Sequence, residues 1–131
     1  MEFKENRPIY MQIADLVMEK ILTGEWKVSD RVPSVREIAA SVEVNPNTVV
    51  HAYSYLQEQG IIYNRRGIGY HVASEGDRRA RELKREIFVR EVLPEVFRTM
   101  RALGMDMEEL KRLYQEFESK EIHERNGNEN E

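Results

Sequence analysis

Val32-Pro33-Ser34-Val35-Arg36-Glu37-Ile38-Ala39 and, shortly after, Val44-Asn45-Pro46-Asn47-Thr48-Val49-Val50-His51-Ala52-Tyr53 contain two helix starts in close succession. In the first, Ser34 precedes Glu37 by three residues, the spacing at which a serine hydroxyl caps a first-turn backbone N–H. In the second, Asn45 stands as N-cap and Pro46 takes the first helical position, where a missing N–H is harmless. Val35, Ile38, Ala39 and Val42 mark the buried face of one helix, and Val49, Ala52, Tyr53 and Leu56 that of the other, which Gly60 ends. Two short helices joined by about four residues form a helix-turn-helix.

Upstream, Asn6-Arg7-Pro8 opens a helix whose Ile9, Ile13, Leu16, Val17, Met18, Ile21 and Leu22 fall largely on one face. Gly24 stops it, and Trp26 is placed to fold back onto that face. Beyond Gly60 the pattern turns from helical to alternating. Ile61-Ile62-Tyr63 and Tyr70-His71-Val72 flank the turn-forming Asn64-Arg65-Arg66-Gly67-Ile68-Gly69, which predicts a two-stranded wing.

After Ser74-Glu75-Gly76, read as a linker with backbone freedom at the glycine, the chain is charged and helical. Leu83, Ile87, Phe88, Val92, Val96, Met100 and Leu103 keep helical spacing, and Pro94 predicts a kink or break near Leu93. Asp106 caps a further helix with the stripe Met107, Leu110, Leu113, Tyr114 and Phe117. Residues 121 to 131 are polar and read as disordered. The domain reading is therefore residues 6 to 74 for the winged helix-turn-helix, 75 to 120 for a two-helix tail, and 121 to 131 for a disordered end. The fold class is α+β. Leu83, Ile87, Val92, Val96, Leu110, Leu113 and Phe117 are the expected dimerisation residues, because a palindromic operator demands a two-fold protein. Two helices this thin are not expected to leave a cavity of drug-like size.

The net charge of −4 argues against DNA binding until its distribution is considered. From Val44 to Ser74 the sole acid is Glu58, while Arg65 and Arg66 lie in the same stretch. Such a chain is repelled by DNA on most faces and accepted on one. Asn45, Asn47 and Thr48 at the start of the second helix suit a major-groove edge: Asn pairs with adenine, and Thr reaches phosphate or a thymine methyl. Arg36 occupies a first turn, where the helix dipole disfavours a cation, and this suggests a DNA contact. Arg65-Arg66-Gly67 at the wing tip suits phosphate or minor groove. His51, on the same helix as Asn47, is a weaker candidate.

No nucleophile with a base, phosphate loop or clustered metal ligands presents itself, so neither an enzyme nor a cofactor is expected. His51, His71 and His123 are too scattered for a metal site, and the absence of cysteine excludes disulfides and thiolate ligands. A polar amino terminus and no membrane-length apolar run point to the cytoplasm, with the nucleoid as the place of work.

Pro8-Ile9-Tyr10-Met11-Gln12-Ile13, Val32 to Ala39, Val44 to Val49, Ala52-Tyr53, Leu56, Gly60 and Arg66-Gly67-Ile68-Gly69 resemble, in order and spacing, the GntR family of bacterial repressors, and the short tail resembles its YtrA-type subgroup. The resemblance covers about residues 6 to 74. It implies DNA contacts at Arg36, at the helix start from Asn45 through Pro46 and Asn47 to Thr48, and at the wing pair Arg66 and Gly67, with Ser34 beside Arg36 in the same motif. Two departures stand out: Val32 where many relatives have Leu, and Val50-His51 where many carry a basic residue. The tail is too short for the ligand-binding or pyridoxal-phosphate domains of other subgroups. YtrA-type members often control transporter genes beside their own.

The reading is thus a homodimeric, sequence-specific DNA-binding repressor acting on a palindromic operator, with no membrane partner and an effector that the sequence does not name. The alternative is a winged helix that binds protein and has lost DNA affinity; the acid-poor face weighs against it.

Overall fold

The computed structural model describes residues 7 to 129, so Asn6, read as the domain's first residue, and residues 130 and 131 of the expected disordered end lie outside it. The described chain forms two compact units, the first closing at Ile87 and the second beginning at Phe88.

The first unit is a winged helix-turn-helix. Helix α1 (Ile9–Leu22) buries Ile13, Ala14, Val17, Met18 and Ile21. It ends at Gly24, whose φ of 82° lets the Trp26 N–H turn back to the Lys20 carbonyl at 3.1 Å, and the indole packs against the core. Helix α2 (Val35–Val42) starts at Ser34, whose Oγ accepts from the Glu37 N–H at 3.1 Å. Helix α3 (Pro46–Glu58) starts at Asn45, whose Oδ1 accepts from the Asn47 N–H at 2.8 Å. Strands β1 (Ile62–Arg65) and β2 (Gly69–Val72) pair antiparallel, Ile62 opposite Val72 and Arg65 opposite Gly69.

Beside this two-stranded sheet runs a further segment joined to β2 by backbone hydrogen bonds and one isolated bridge. Ser29 N–H donates to the Val72 carbonyl (3.0 Å), Val72 N–H to Asp30 (2.9 Å) and Val32 N–H to Tyr70 (2.9 Å), so residues 29–32 run along β2. Tyr53 locks helix to sheet. It is fully buried, its hydroxyl donates to the Pro33 carbonyl at 2.6 Å, and its ring meets the edge of Tyr70 at 4.8 Å. Burial, with smaller contributions from Tyr70 and Glu37, pushes the Tyr53 phenol above its ordinary value.

Helix α4 (Gly76–Ile87) departs from the expected boundary. Residues 75 to 87 were expected to belong to a tail, yet Ala80, Leu83 and Ile87 are buried in the same core as α1, and Lys84 reaches Glu19 (3.6 Å) on α1. Leu83 and Ile87, expected at a dimer interface, are therefore packed into the core of the winged unit within a single chain. Each contributes about 2 kcal/mol by the apolar area it removes from water. Helical spacing identifies a buried face but not the surface that covers it. Gly76 is likewise no hinge: it is buried, and a Cβ there would overlap the Ile61 carbonyl oxygen and stand 3.0 Å from Val72 Cγ1.

The second unit holds a five-residue π-helical turn (Phe88–Val92), helix α5 (Leu93–Leu103) and helix α6 (Met107–Glu129). The predicted break is present: Pro94 lies in the first turn of α5, and its missing N–H cannot serve the carbonyl four residues back. Gly104, at φ 70°, ends α5, and Asp106 Oδ1 accepts from the Glu109 N–H at 2.9 Å to start α6. Residues 121 to 129 continue α6 in place of the expected disorder. Glu121, Glu124 and Arg125 are good helix formers, no proline interrupts the run, and Glu121 precedes Arg125 by one turn, so the helix carries on from residue 120 although Asn126 and Gly127 are poor formers.

Candidate nucleic-acid interface

Three elements of the first unit carry the candidate residues, and each is placed by local sequence chemistry. Serine capping sets the start of α2, so Arg36 projects from its first turn; it is exposed and has no ion-pair partner among the described residues. The tight link between α2 and α3 depends on Glu43, which adopts the left-handed conformation (φ 57°) while the Val44 N–H returns to the Ala39 carbonyl at 3.0 Å. This link sets the start of α3, the Asn45–Thr48 turn, directly after the C-terminal end of α2. Asn45, Pro46 and Asn47 are exposed and Thr48 is half-buried. Asn45 uses its carbonyl oxygen as cap, which leaves its amide N–H groups facing outward as donors.

The wing carries Arg65 and Arg66 at its tip, both exposed and without an ion-pair partner among the described residues. Gly67 turns the chain at φ 81°, and the Ile68 N–H closes the turn on the Arg65 carbonyl at 2.8 Å. Several arginines elsewhere are paired, Arg78 with Glu75 and Glu82, Arg79 with Glu82, Arg98 with Glu95 and Arg112 with Glu116, whereas Arg81, Arg85, Arg101 and Arg125 are exposed and, like the wing pair, without an ion-pair partner among the described residues. Ser34 is half-buried with its oxygen occupied by the cap, so it positions Arg36 and retains one O–H to donate.

His51 is exposed but not independent. Its ring stacks on Tyr10 of α1 at 3.7 Å between centroids, and Tyr10 meets Tyr55 edge-on at 6.3 Å. The recognition helix is thereby braced against α1 through an aromatic contact that pattern reading does not reveal. Val50, where a basic residue was noted as missing, is an exposed apolar side chain.

The remaining dimerisation candidates lie in the second unit. Val92, Leu113 and Phe117 are exposed, Val96 and Leu110 half-buried, and among the residues of α6 whose burial is described none is buried. Val92, Val96, Met100, Leu103, Met105 and Leu110 line an open, largely apolar surface groove of about 470 Å³. Among the described residues there is no cluster of metal-binding side chains, and no helix is long and apolar enough to cross a membrane.

Residues 9–72 match the model of the bacterial regulatory proteins of the gntR family. The chain is 38% identical over 109 residues to the HTH-type transcriptional regulator YhcF of Bacillus subtilis, spanning 83% of this chain and 88% of that protein. It is 35% identical to the HTH-type transcriptional repressor YtrA of the same organism, covering 82% of each. A putative GntR-family regulator from Bacteroides thetaiotaomicron superposes with a TM-score of 0.71 at 41% identity, over 87% of this chain and 99% of that one. With winged fold, motif order and relatives in agreement over most of its length, the chain belongs to the GntR family of transcription regulators.

Proposed function

We propose that this regulator is a homodimeric repressor that binds a two-fold operator in the cytoplasm. The reading rests on the exposure of Arg36 in the first turn of α2 and of Arg65 and Arg66 at the wing tip, none with an ion-pair partner among the described residues, together with the acid-free turn from Asn45 to Thr48 that starts α3. In this reading Asn45, Asn47 and Thr48 enter the major groove, Arg36 contacts phosphate or guanine, and Arg65-Arg66-Gly67 reaches the neighbouring minor groove. His51, held by Tyr10, contributes a phosphate contact. Repression is supported by the likeness to YtrA and follows if the operator overlaps a promoter.

Self-association is supported by the second unit, which carries ten of the fifteen exposed large apolar side chains among the described residues. Leu113 and Phe117 lie on α6 and Val92 and Val96 near α5, where a second copy would cover them. The deciding experiment is selection of bound fragments from genomic DNA, followed by titration of the recovered site. Arg36→Ala and Arg66→Ala should each weaken binding or lower its salt slope. Wild-type affinity in both, with the fold intact, overturns the assignment.

A further inference from the structure

We infer that Arg31 is a further DNA-backbone contact, seated at the seam between α2 and the wing, with Glu37 as its partner in the DNA-free protein. The inference rests on the DNA-binding reading above. Arg31 lies in the extended segment that runs along β2, where its backbone forms an isolated bridge with His71. Its side chain passes over Gly69, where an added Cβ would stand 3.9 Å from Arg31 Nε, and Gly69 is the cross-strand partner of Arg65. Its Nη2 ends 3.4 Å from Oε1 of Glu37, the residue following Arg36 in the first turn of α2. One guanidinium thus spans the gap between the helix start that presents Arg36 and the strand pair that presents Arg65 and Arg66.

Duplex geometry gives that gap a meaning. If α3 enters a major groove and the wing reaches the adjacent minor groove, the phosphate strand dividing the two grooves crosses the seam. A cation bridging the seam meets that strand. The existing pair is long and exposed, 60% for Arg31 and 58% for Glu37, and such pairs contribute little to stability. Phosphate accepts a guanidinium through two parallel bonds, so exchange of Glu37 for phosphate is favoured. The contact does not read sequence, and Glu37, left beside the phosphates, opposes binding.

The test uses the full chain and a 30-base-pair duplex of arbitrary sequence, with affinity measured between roughly 50 and 200 mM salt, the range over which phosphate contacts dominate the response. Arg31→Ala should bind several-fold more weakly and show a salt slope lower by about 1 per protomer. Arg31→Lys should restore the slope, and Glu37→Gln, which keeps the backbone N–H cap on Ser34, should tighten binding. If Arg31→Ala and Arg31→Gln retain the wild-type slope while Arg36→Ala lowers it, Arg31 is a structural tie and the inference is wrong. A wild-type protein with no affinity for the duplex at low salt overturns the DNA-binding reading itself, and Arg31 with it.

Discussion

Gly76 and Ile61 touch through backbone alone: a methyl group on Gly76 would enter the van der Waals shell of the Ile61 carbonyl oxygen, which also accepts from the Ala73 N–H at 3.0 Å. The contact fixes α4 to the base of the wing. Because the obstacle is backbone and Val72 Cγ1 closes the other side, little relaxation is available. Gly76→Ala should destabilise the first unit by about 1–3 kcal/mol, the range for overpacking a close-packed site. A thermal melt unchanged from wild type would show that the helix moves aside freely.

The same packing relocates the boundary of an autonomous domain. A chain ending at Ser74 loses Ala80, Leu83 and Ile87 from the core and exposes the face of α1 that they cover. It should lose several kcal/mol, since truncating one buried Leu or Ile typically costs 2–5. A chain ending at Ile87 should unfold cooperatively. Denaturant titration of the two fragments decides; equal stability contradicts the placement of α4.

Tyr53 links stability to alkaline pH. Burial favours the neutral phenol, so the folded state holds its proton to higher pH than the unfolded chain, whose phenol titrates near 10. The stabilisation is complete below that value and is lost as pH rises above it. Tyr53→Phe should cost about 1 kcal/mol at neutral pH through the lost bond to Pro33, and should blunt the alkaline decline. An equal decline in the variant would assign it to other groups.

Glu43 occupies a left-handed conformation that glycine adopts without strain and other residues at about 1–2 kcal/mol. Glu43→Gly should raise the melting temperature, after allowance for the entropy glycine loses on folding. It also removes an acid beside the Asn45–Thr48 turn, so DNA affinity should rise at low salt. A lower melting temperature would mean that the glutamate side chain supports the turn.

Leu113 and Phe117 test self-association. Both are exposed on α6 in a single chain, so replacing them together by Glu should leave the melt of the first unit unchanged. Sedimentation should then find monomer where wild type at micromolar concentration is dimeric. A monomeric wild type would remove the basis for the two-fold operator.

Local chemistry alone placed the helix starts. Ser34, Asn45, Pro46 and Asp106 act within a single turn, so they are legible in sequence, as are the glycine stops at Gly24, Gly60 and Gly104 and the break at Pro94. The exposure of Arg36, Arg65 and Arg66 follows from those local elements. Tertiary structure decided everything that depends on which surface covers which. Leu83 and Ile87 show an apolar face in sequence, but only the packed chain directs that face to α1. Residues 29–32 lack an alternating pattern because Ser29, Asp30 and Arg31 are exposed and Val32 alone is buried, so their backbone hydrogen bonds to β2 leave no apolar period in the sequence. Gly76 reads equally well as freedom or as close approach, and its neighbour Ile61, fifteen positions away, settles which. The setting of Arg31 is tertiary too: Glu37 is six positions away, but the bridge to His71 and the approach to Gly69 arise only once the wing folds against residues 29–32.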